Sequence, residues 1–167
     1  GYADADMNST TSGAEKTRVE QYRYMDLTVN LKVPFAFCDI TSMSSLSSAL
    51  RYSTQHGKVS TVVHLAGRSQ VSRQDAKAVD LMLSTNILGT QHILEQCARM
   101  KIPTALVVSA VESTVHDVSL YSISKNAMEQ LIAVYQQDSD VNIIGIRPHT
   151  LYGPAGRTDM FVWKTIQ

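Results

Sequence analysis

This sequence has no excess of charge of either sign, few cysteines and no long apolar run. Fifteen basic and fifteen acidic residues give a formal net charge of zero, and no basic run suggests binding to nucleic acid or to an acidic membrane surface. No apolar run approaches the roughly 18 residues of a membrane span, and the first residues lack the charged and then apolar layout of a signal peptide. We therefore expect a cytoplasmic chain with neither a nucleic-acid partner nor a membrane partner.

The two cysteines, Cys38 and Cys97, lie in separate apolar segments. They show neither a Cys-x-x-Cys spacing nor a Cys/His spacing, so the sequence predicts reduced, buried thiols in a reducing compartment. The five histidines are scattered along the chain. No metal site is predicted.

The 167 residues, 44% of them hydrophobic, fit one domain with a buried core. The sequence pattern predicts little about the structure of residues 1–32. In residues 33–167, short apolar runs alternate with amphipathic stretches. The apolar runs predict strands, and they read VPFAFC (33–38), TVVHLAG (61–67), TALVVSA (104–110) and VNIIGIRP (141–148). Helices are predicted between them, one over residues 39–52, a long one from about Ala76 to Met100 and one over SLYSISKNAMEQLIAVYQQ (119–137).

Strands that are apolar throughout suit a sheet buried on both faces, and the strand-helix alternation makes the strands parallel. The predicted fold class is therefore α/β, with a doubly wound, Rossmann-like parallel sheet. Ligands bind such sheets at the carboxyl ends of the strands, so the residues that follow each strand are the candidates for a site.

Tyr121 and Lys125 stand four residues apart in the segment YSISK. Helical spacing places them on one face, but a Tyr-x-x-x-Lys pair also arises by chance, and a solvated pair on an ordinary amphipathic helix has the same spacing. A tyrosine ordinarily titrates near pH ~10, so it is a poor base unless a neighbouring cation stabilises its phenolate. Lys125 is placed to supply that charge.

Several motifs occur together in one order: FCDITS, VVHLAG, STNILGTQHILE, VVSAVEST, YSISK and RPHTLYGPAGRTDM. In this order and register they resemble the extended short-chain dehydrogenases, the NAD-dependent epimerase/dehydratase family, over residues 33 to 160. The last motif is most similar to that of UDP-glucuronate 4-epimerases, with Thr158 where those enzymes have a second proline.

The resemblance implies an NAD cofactor, a nucleotide-sugar substrate and epimerisation through transient oxidation. Tyr121 would be the general base on a sugar hydroxyl, and Lys125 would also hold the nicotinamide ribose. The family's Ser/Thr hydroxyl, which hydrogen-bonds the reacting oxygen, falls on Thr114 first and Ser113 second. A hydroxyl that only caps the next turn has the same sequence. Relatives also imply a homodimer, for which Leu88, Ile93, Met128 and Ile132 offer apolar surface for either packing or pairing.

The same resemblance implies the residues around the cofactor. Asn86 matches an asparagine that supports the active-site region, although an exposed helix edge is the alternative. Asp39 and Ile40 match an adenine-binding pair, although Asp39 as a plain helix cap has the same sequence. Ala66, Gly67 and Arg68 match the loop along the cofactor's phosphates and ribose, although an arginine at the surface would have the same sequence. The remaining matches are Tyr152 near the cofactor and Arg157 at a substrate diphosphate or uronate oxygen.

Two features of the family are missing from this sequence. The only Gly-x-x-Gly runs from Gly153 to Gly156, too late for the Gly-rich turn that cradles a dinucleotide. The sequence also stops just after the GRTDM motif, where relatives continue into a substrate domain. We therefore expect either a fragment of an epimerase, without the first Gly-rich βα unit and the C-terminal domain, or a non-catalytic relative that serves as a binding or scaffold module. Val115 and His116 after Thr114 argue against a dehydratase.

Overall fold

A computed structural model describes residues 33–69, 75–110 and 119–149, together with residues 151 and 165. The predicted N-terminal segment, residues 1–32, lies outside this part of the chain. The elements follow in the order α1 (Met43–Thr54), β1 (Thr61–His64), α2 (Ala76–Leu83), a π-helical turn π1 (Ser84–Leu88), α3 (Gly89–Arg99), β2 (Thr104–Val108), α4 (Leu120–Asp138) and β3 (Asn142–Ile146).

The three strands form one parallel sheet in the order β1-β2-β3. Thr61 pairs with Thr104, and Thr104 pairs with Asn142. Each strand is the spatial neighbour of the next one in sequence, and a helix connects them, as in one half of a doubly wound sheet. The predicted α/β, Rossmann-like fold class is confirmed.

The core lies between the sheet and the helices that cover one of its faces. Leu94 and Cys97 of α3 and Met128 of α4 are at most 1% exposed, and they belong to one cluster with the inward side chains of β2, Ala105 and Val107. Because parallel strands put alternate side chains on opposite faces, Leu106 and Val108 point away from these helices. The described helices thus pack on a single face of the sheet.

The cysteines differ in their surroundings. Cys97 is fully buried in the core, and Cys38 is half-buried. Burial raises the pKa of the Cys97 thiol to about 11, so this thiol stays protonated near neutral pH.

The predicted strand VPFAFC is wrong, because residues 33–38 have no strand assignment. Phe37 is 72% exposed, and within the described residues no strand pairs with this segment. A strand depends on a hydrogen-bonded neighbour, which an apolar composition does not supply. The long helix predicted over residues 76–100 is present, but π1 interrupts its regular hydrogen bonding.

Candidate active site

The candidate site lies where the parallel strands end. β1 continues into residues 65–69 and β2 into Ser109 and Ala110. The first turns of α4 reach the same edge of the sheet, because Lys125 Nζ donates to the carbonyl of Val108 at the end of β2. Residues 65–67 are exposed there, while Arg68 is buried. The arrangement brings together the segments that carry Gly67, Arg68, Tyr121 and Lys125.

Helix α4 begins with a reciprocal cap that fixes the position of Tyr121. The Ser119 hydroxyl accepts from the Ser122 amide at 3.0 Å, and the Ser122 hydroxyl accepts from the Ser119 amide at 2.9 Å. Two otherwise unpaired amide groups at the helix start are satisfied in this way. Tyr121 therefore sits in the first turn of α4, half-buried at the open edge of the site.

Lys125 follows Tyr121 by one helical turn and is only 6% exposed. Its Nζ lies 5.7 Å from the centroid of the Tyr121 ring, within the range of a cation–π attraction. The same Nζ donates to the carbonyl of Val108 at 3.3 Å, which anchors the ammonium group to the carboxyl end of β2. The predicted pair is thus an organised contact rather than two solvated residues on a helix.

Asn86 joins the loop after β1 to helix α4. Its Oδ1 accepts from the Arg68 amide at 2.7 Å, and its Nδ2 donates to the Arg68 carbonyl and to Ser124 Oγ, each at 2.9 Å. The side chain is fully buried, so the alternative of an exposed helix edge is wrong. Ser124 Oγ in turn donates to the carbonyl of Tyr121 at 2.8 Å.

Asn86 reaches these partners from π1. A π turn adds one residue to the helical repeat and is frequent at functional sites. Here the amide of Gly89 bonds to the carbonyl of Ser84, five residues earlier. The sequence pattern predicted a helix over this stretch but not the π turn.

Gly67 lies beside the side chains of Asn86 and Lys125. A Cβ at Gly67 would stand 3.3 Å from Asn86 Oδ1 and 3.3 Å from Lys125 Nζ. The missing side chain therefore leaves exposed backbone beside a buried ammonium group. Such a cradle fits a phosphate or a ribose of a dinucleotide, since close approach of a ligand to backbone favours glycine.

Asp39 and Ile40 lie before α1, but Asp39 is not the helix cap. Ser42 is the N-cap, and its hydroxyl accepts from the Ser45 amide. The Asp39 carboxylate instead accepts from the hydroxyl and the amide of Thr41, which lowers the pKa of Asp39, the hydroxyl contributing most. His92 Nδ1 donates to the Ile40 carbonyl at 2.9 Å and ties this pair to α3.

His64 and Thr90 form a buried contact that the sequence analysis missed. His64 Nε2 lies 3.0 Å from Thr90 Oγ1. Burial, and next the positive charge of Lys125, lower the pKa of His64 to about 4. A histidine at the end of a buried strand, in VVHLAG, was the available signal.

Four sequence candidates lie outside the described residues: Ser113, Thr114, Tyr152 and Arg157. Ala66 and Arg68 flank Gly67, Ala66 exposed and Arg68 9% exposed.

Within the described ranges, no group of three His, Cys, Asp or Glu side chains is placed to hold a metal ion. Over the same ranges, no helix has the length and apolar character needed to cross a bilayer.

Comparison with known proteins gives a consistent set of relatives. UDP-glucuronate 4-epimerase of Thermodesulfobacterium geofontis is 26% identical over an alignment of 163 residues that covers 89% of this chain and 49% of that protein. UDP-glucuronate 4-epimerase 6 of Arabidopsis thaliana is 30% identical over 59% of this chain and 25% of its own length. The chain thus spans about half the length, or less, of the curated relatives it matches.

Solved structures give the same result. UDP-glucuronic acid 4-epimerase of Bacillus cereus, crystallised with UDP-glucuronic acid and NAD, superposes with a TM-score of 0.71 at 25% identity, over 90% of this chain and 49% of that one. The model of the NAD dependent epimerase/dehydratase family matches residues 7–167, nearly the whole sequence. This chain therefore belongs to the NAD dependent epimerase/dehydratase family.

Proposed function

We propose that this chain carries the catalytic centre of an NAD-dependent nucleotide-sugar epimerase of the UDP-glucuronate 4-epimerase type. The observation that carries the proposal is the position of Lys125 Nζ, which is buried, 5.7 Å from the ring centroid of Tyr121 and next to the backbone of Gly67. A single ammonium group then acts on the tyrosine and on a ligand held at Gly67.

Tyr121 is the proposed base. A positive charge close to a phenol favours its ionised form, and the Ser119 cap together with the Ser124 hydrogen bond holds the backbone of Tyr121 in one position. The phenolate takes the proton of a sugar hydroxyl and later returns it to the same oxygen. Lys125 keeps its charge near that oxygen throughout.

A bound NAD would supply reversible hydride transfer at the sugar carbon that carries the hydroxyl, with removal from one face and return to the other. The reaction therefore inverts one carbon without net oxidation. On our proposal, Gly67 with Ala66 and Arg68 lies along the cofactor, and Asp39 with Ile40 holds its adenine. Lys125 also binds the nicotinamide ribose, and Asn86 supports the loop at Arg68.

The residues outside the described ranges complete the proposal. Thr114, or Ser113 in its place, donates a hydrogen bond to the reacting oxygen. Tyr152 lies near the cofactor, and Arg157 binds a diphosphate or uronate oxygen of the substrate. The solved Bacillus cereus relative, with UDP-glucuronic acid and NAD bound, supports this substrate class.

Two experiments test the proposal, first on this chain and then on the longest open reading frame that contains it. Titration calorimetry measures NAD binding, and chromatography measures conversion of UDP-glucuronate to its 4-epimer. We expect Tyr121→Phe to lower turnover by roughly 10²-fold to 10⁴-fold, with NAD affinity changed less than threefold. Tyr52→Phe, at a partly exposed tyrosine of α1, is the matched control and should leave turnover unchanged.

Lys125→Met should weaken NAD binding at least tenfold, because it removes the proposed ribose contact and the buried charge. Lys58→Met is its control, since Lys58 is exposed and precedes the amino end of β1, at the opposite edge of the sheet. NAD binding without conversion of UDP-glucuronate would overturn the substrate assignment alone. Failure of NAD to bind to this chain and to the longest open reading frame that contains it would favour the non-catalytic binding or scaffold module.

A homodimer is a further part of the proposal. Ile93, Met128 and Ile132 are at most 6% exposed and serve the core, whereas Leu88 and Val134 are 44% and 51% exposed. Pairing through π1 and α4 would cover the exposed two. Sedimentation that shows only monomer at micromolar concentration would contradict the homodimer.

A further inference from the structure

The contact between His64 and Thr90 lies beneath the proposed site and is used by none of the steps above. His64 ends strand β1 and is 2% exposed, and Thr90 in α3 is fully buried. Buried polar side chains cost free energy unless they are hydrogen-bonded. The pair therefore has to be understood from its hydrogen bonds.

The directions of these hydrogen bonds follow from the atoms. Thr90 Oγ1 donates to the carbonyl of Asn86, and a hydroxyl has only one proton to give. In the contact with His64, Thr90 Oγ1 is therefore the acceptor and His64 Nε2 the donor. With a pKa of about 4 the imidazole is neutral near pH 7, so its single proton is on Nε2. Nδ1 is buried with no hydrogen-bond partner in the described part of the chain.

The series of hydrogen bonds from His64 through Thr90 ends on Asn86. Thr90 contacts the main-chain carbonyl of Asn86, while the side chain of Asn86 holds both polar groups of the Arg68 backbone and Ser124 Oγ. Asn86 lies within π1, whose hydrogen bonds span five residues instead of four. The Thr90 hydroxyl, itself in contact with His64, adds a side-chain hydrogen bond to the carbonyl of Asn86.

We propose that His64 and Thr90 are positioning residues, which hold π1 in the register that aims the Asn86 amide at Arg68 and Ser124. Strand β1 thereby sets the orientation of the Asn86 side chain on π1, and Asn86 holds the loop that contains Gly67 in position. The consequence for NAD binding rests on the proposed function. The consequence for the Arg68 backbone does not.

The first test measures amide hydrogen exchange of the chain without cofactor. The Arg68 amide donates to Asn86 Oδ1, so its exchange rate reports whether that side chain is in place. We expect Thr90→Val, which keeps the shape and removes the hydroxyl, to accelerate exchange at Arg68 at least tenfold. Amides of β2 should change less than twofold, and Thr90→Ser, which keeps the hydroxyl, should exchange at Arg68 like the parent chain.

A second set of variants tests the donor. Glutamine at position 64 presents an N–H close to the Nε2 position, whereas asparagine presents it near Nδ1. His64→Gln should therefore keep slow exchange at Arg68, and His64→Asn should lose it. Equal exchange at Arg68 in Thr90→Val and Thr90→Ser, or a uniform acceleration over all amides in both, would overturn the proposal.

The parent chain offers a measurement that does not depend on the folding of any variant. Nitrogen NMR of the His64 ring should show a protonated Nε2 and an unprotonated Nδ1 at neutral pH. The opposite tautomer would overturn the proposal, because His64 would then have no proton for Thr90.

The link to the cofactor is tested last, by NAD titration. Thr90→Val should weaken NAD binding about tenfold, and Thr90→Ser should bind like the parent chain. Absence of NAD binding by the parent chain would overturn the proposed function alone, because the exchange rates and the tautomer decide the positioning role without cofactor. Unchanged NAD affinity in Thr90→Val, together with accelerated exchange at Arg68, would overturn the link between this pair and the cofactor site.

Discussion

At the scale of single residues, His64 is a group whose ionisation the fold shifts strongly. Its pKa falls from 6.5 to about 4 through burial and the charge of Lys125. Between these two values the unfolded chain binds a proton that the folded chain does not, so folding stability decreases as pH falls from 6.5 to 4.

We predict that this single group removes about 3 kcal/mol of folding stability between pH 7 and pH 4, at ~1.4 kcal/mol per pKa unit. Urea denaturation across this range, compared between the parent chain and His64→Gln, isolates the contribution because carboxylates titrate equally in both. The same slope in both proteins would mean that His64 is not buried in its neutral form.

Gly67 gives a second prediction at this scale. No left-handed backbone requires glycine here, so space alone opposes a side chain: the Cβ of Gly67→Ala would stand 3.3 Å from Asn86 Oδ1 and Lys125 Nζ. We expect a loss of stability under ~1 kcal/mol and NAD binding weakened about tenfold, measured by urea denaturation and calorimetry.

Gly145→Ala is the matched control for Gly67→Ala. Its Cβ would also stand 3.3 Å from a side-chain atom, but that atom is the Cδ1 of Ile132 in the core. Gly145→Ala should leave NAD affinity unchanged. Equal affinities in both variants would argue against a cofactor at Gly67.

At the scale of elements, the packing of α3 against the segment before α1 depends on Gly89. A Cβ at Gly89 would stand 2.6 Å from Cδ1 and 2.8 Å from Cγ1 of Ile40, closer than real contacts allow. Overpacking costs ~1–3 kcal/mol, and the better helix propensity of alanine returns up to ~1 kcal/mol. We predict that Gly89→Ala destabilises the chain by about 1–2 kcal/mol.

A double-mutant cycle with Ile40→Ala, followed by urea denaturation, measures this contact. Removing the Ile40 side chain frees the space, so Gly89→Ala should cost little in the Ile40→Ala background, with a coupling of about 1 kcal/mol or more. Strict additivity of the two changes would show that Ile40 does not pack against α3.

Elements were predictable from sequence where their signal is local. The apolar run around Val107 and the amphipathic repeat of α4 predicted a strand and a helix, and both are present. The strand predicted for VPFAFC is wrong because strand formation also needs a neighbour in space. The π turn at Asn86 was not predicted, because nothing in the local repeat distinguishes it from an α-helix.

At the scale of the whole molecule, the two faces of the sheet differ in burial. Val107 faces the helices and is fully buried, whereas Val63 and Ile144 on the opposite face are 52% and 43% exposed. The apolar runs had suggested burial on both faces. In the described part of the chain, helices supply that burial on one face only.

This asymmetry predicts unequal costs for the same chemical change. Val63→Thr should cost less than ~1 kcal/mol of unfolding free energy, because its hydroxyl reaches water. Val107→Thr should cost about 2 kcal/mol, because it buries a hydroxyl among apolar side chains. Urea denaturation of the two variants checks this, and equal costs would mean that the Val63 face is also covered.

The sequence by itself determined the alternation of strands and helices, which makes the sheet parallel, and the Tyr121–Lys125 pair. Both follow from local patterns, since three of the four apolar runs form strands and residues four apart share one face of a helix. It also supplied the motifs that relate the chain to its family.

Only the tertiary structure decided what holds that pair in place. Asn86 bonds to Arg68 and Ser124, 18 and 38 residues away, and His64 bonds to Thr90, 26 residues away. Whether an asparagine or a histidine is exposed or buried with a partner depends on which elements fold against each other. Tertiary contacts, and not residue type or spacing, therefore determined that Asn86 and His64 lie beneath the candidate site.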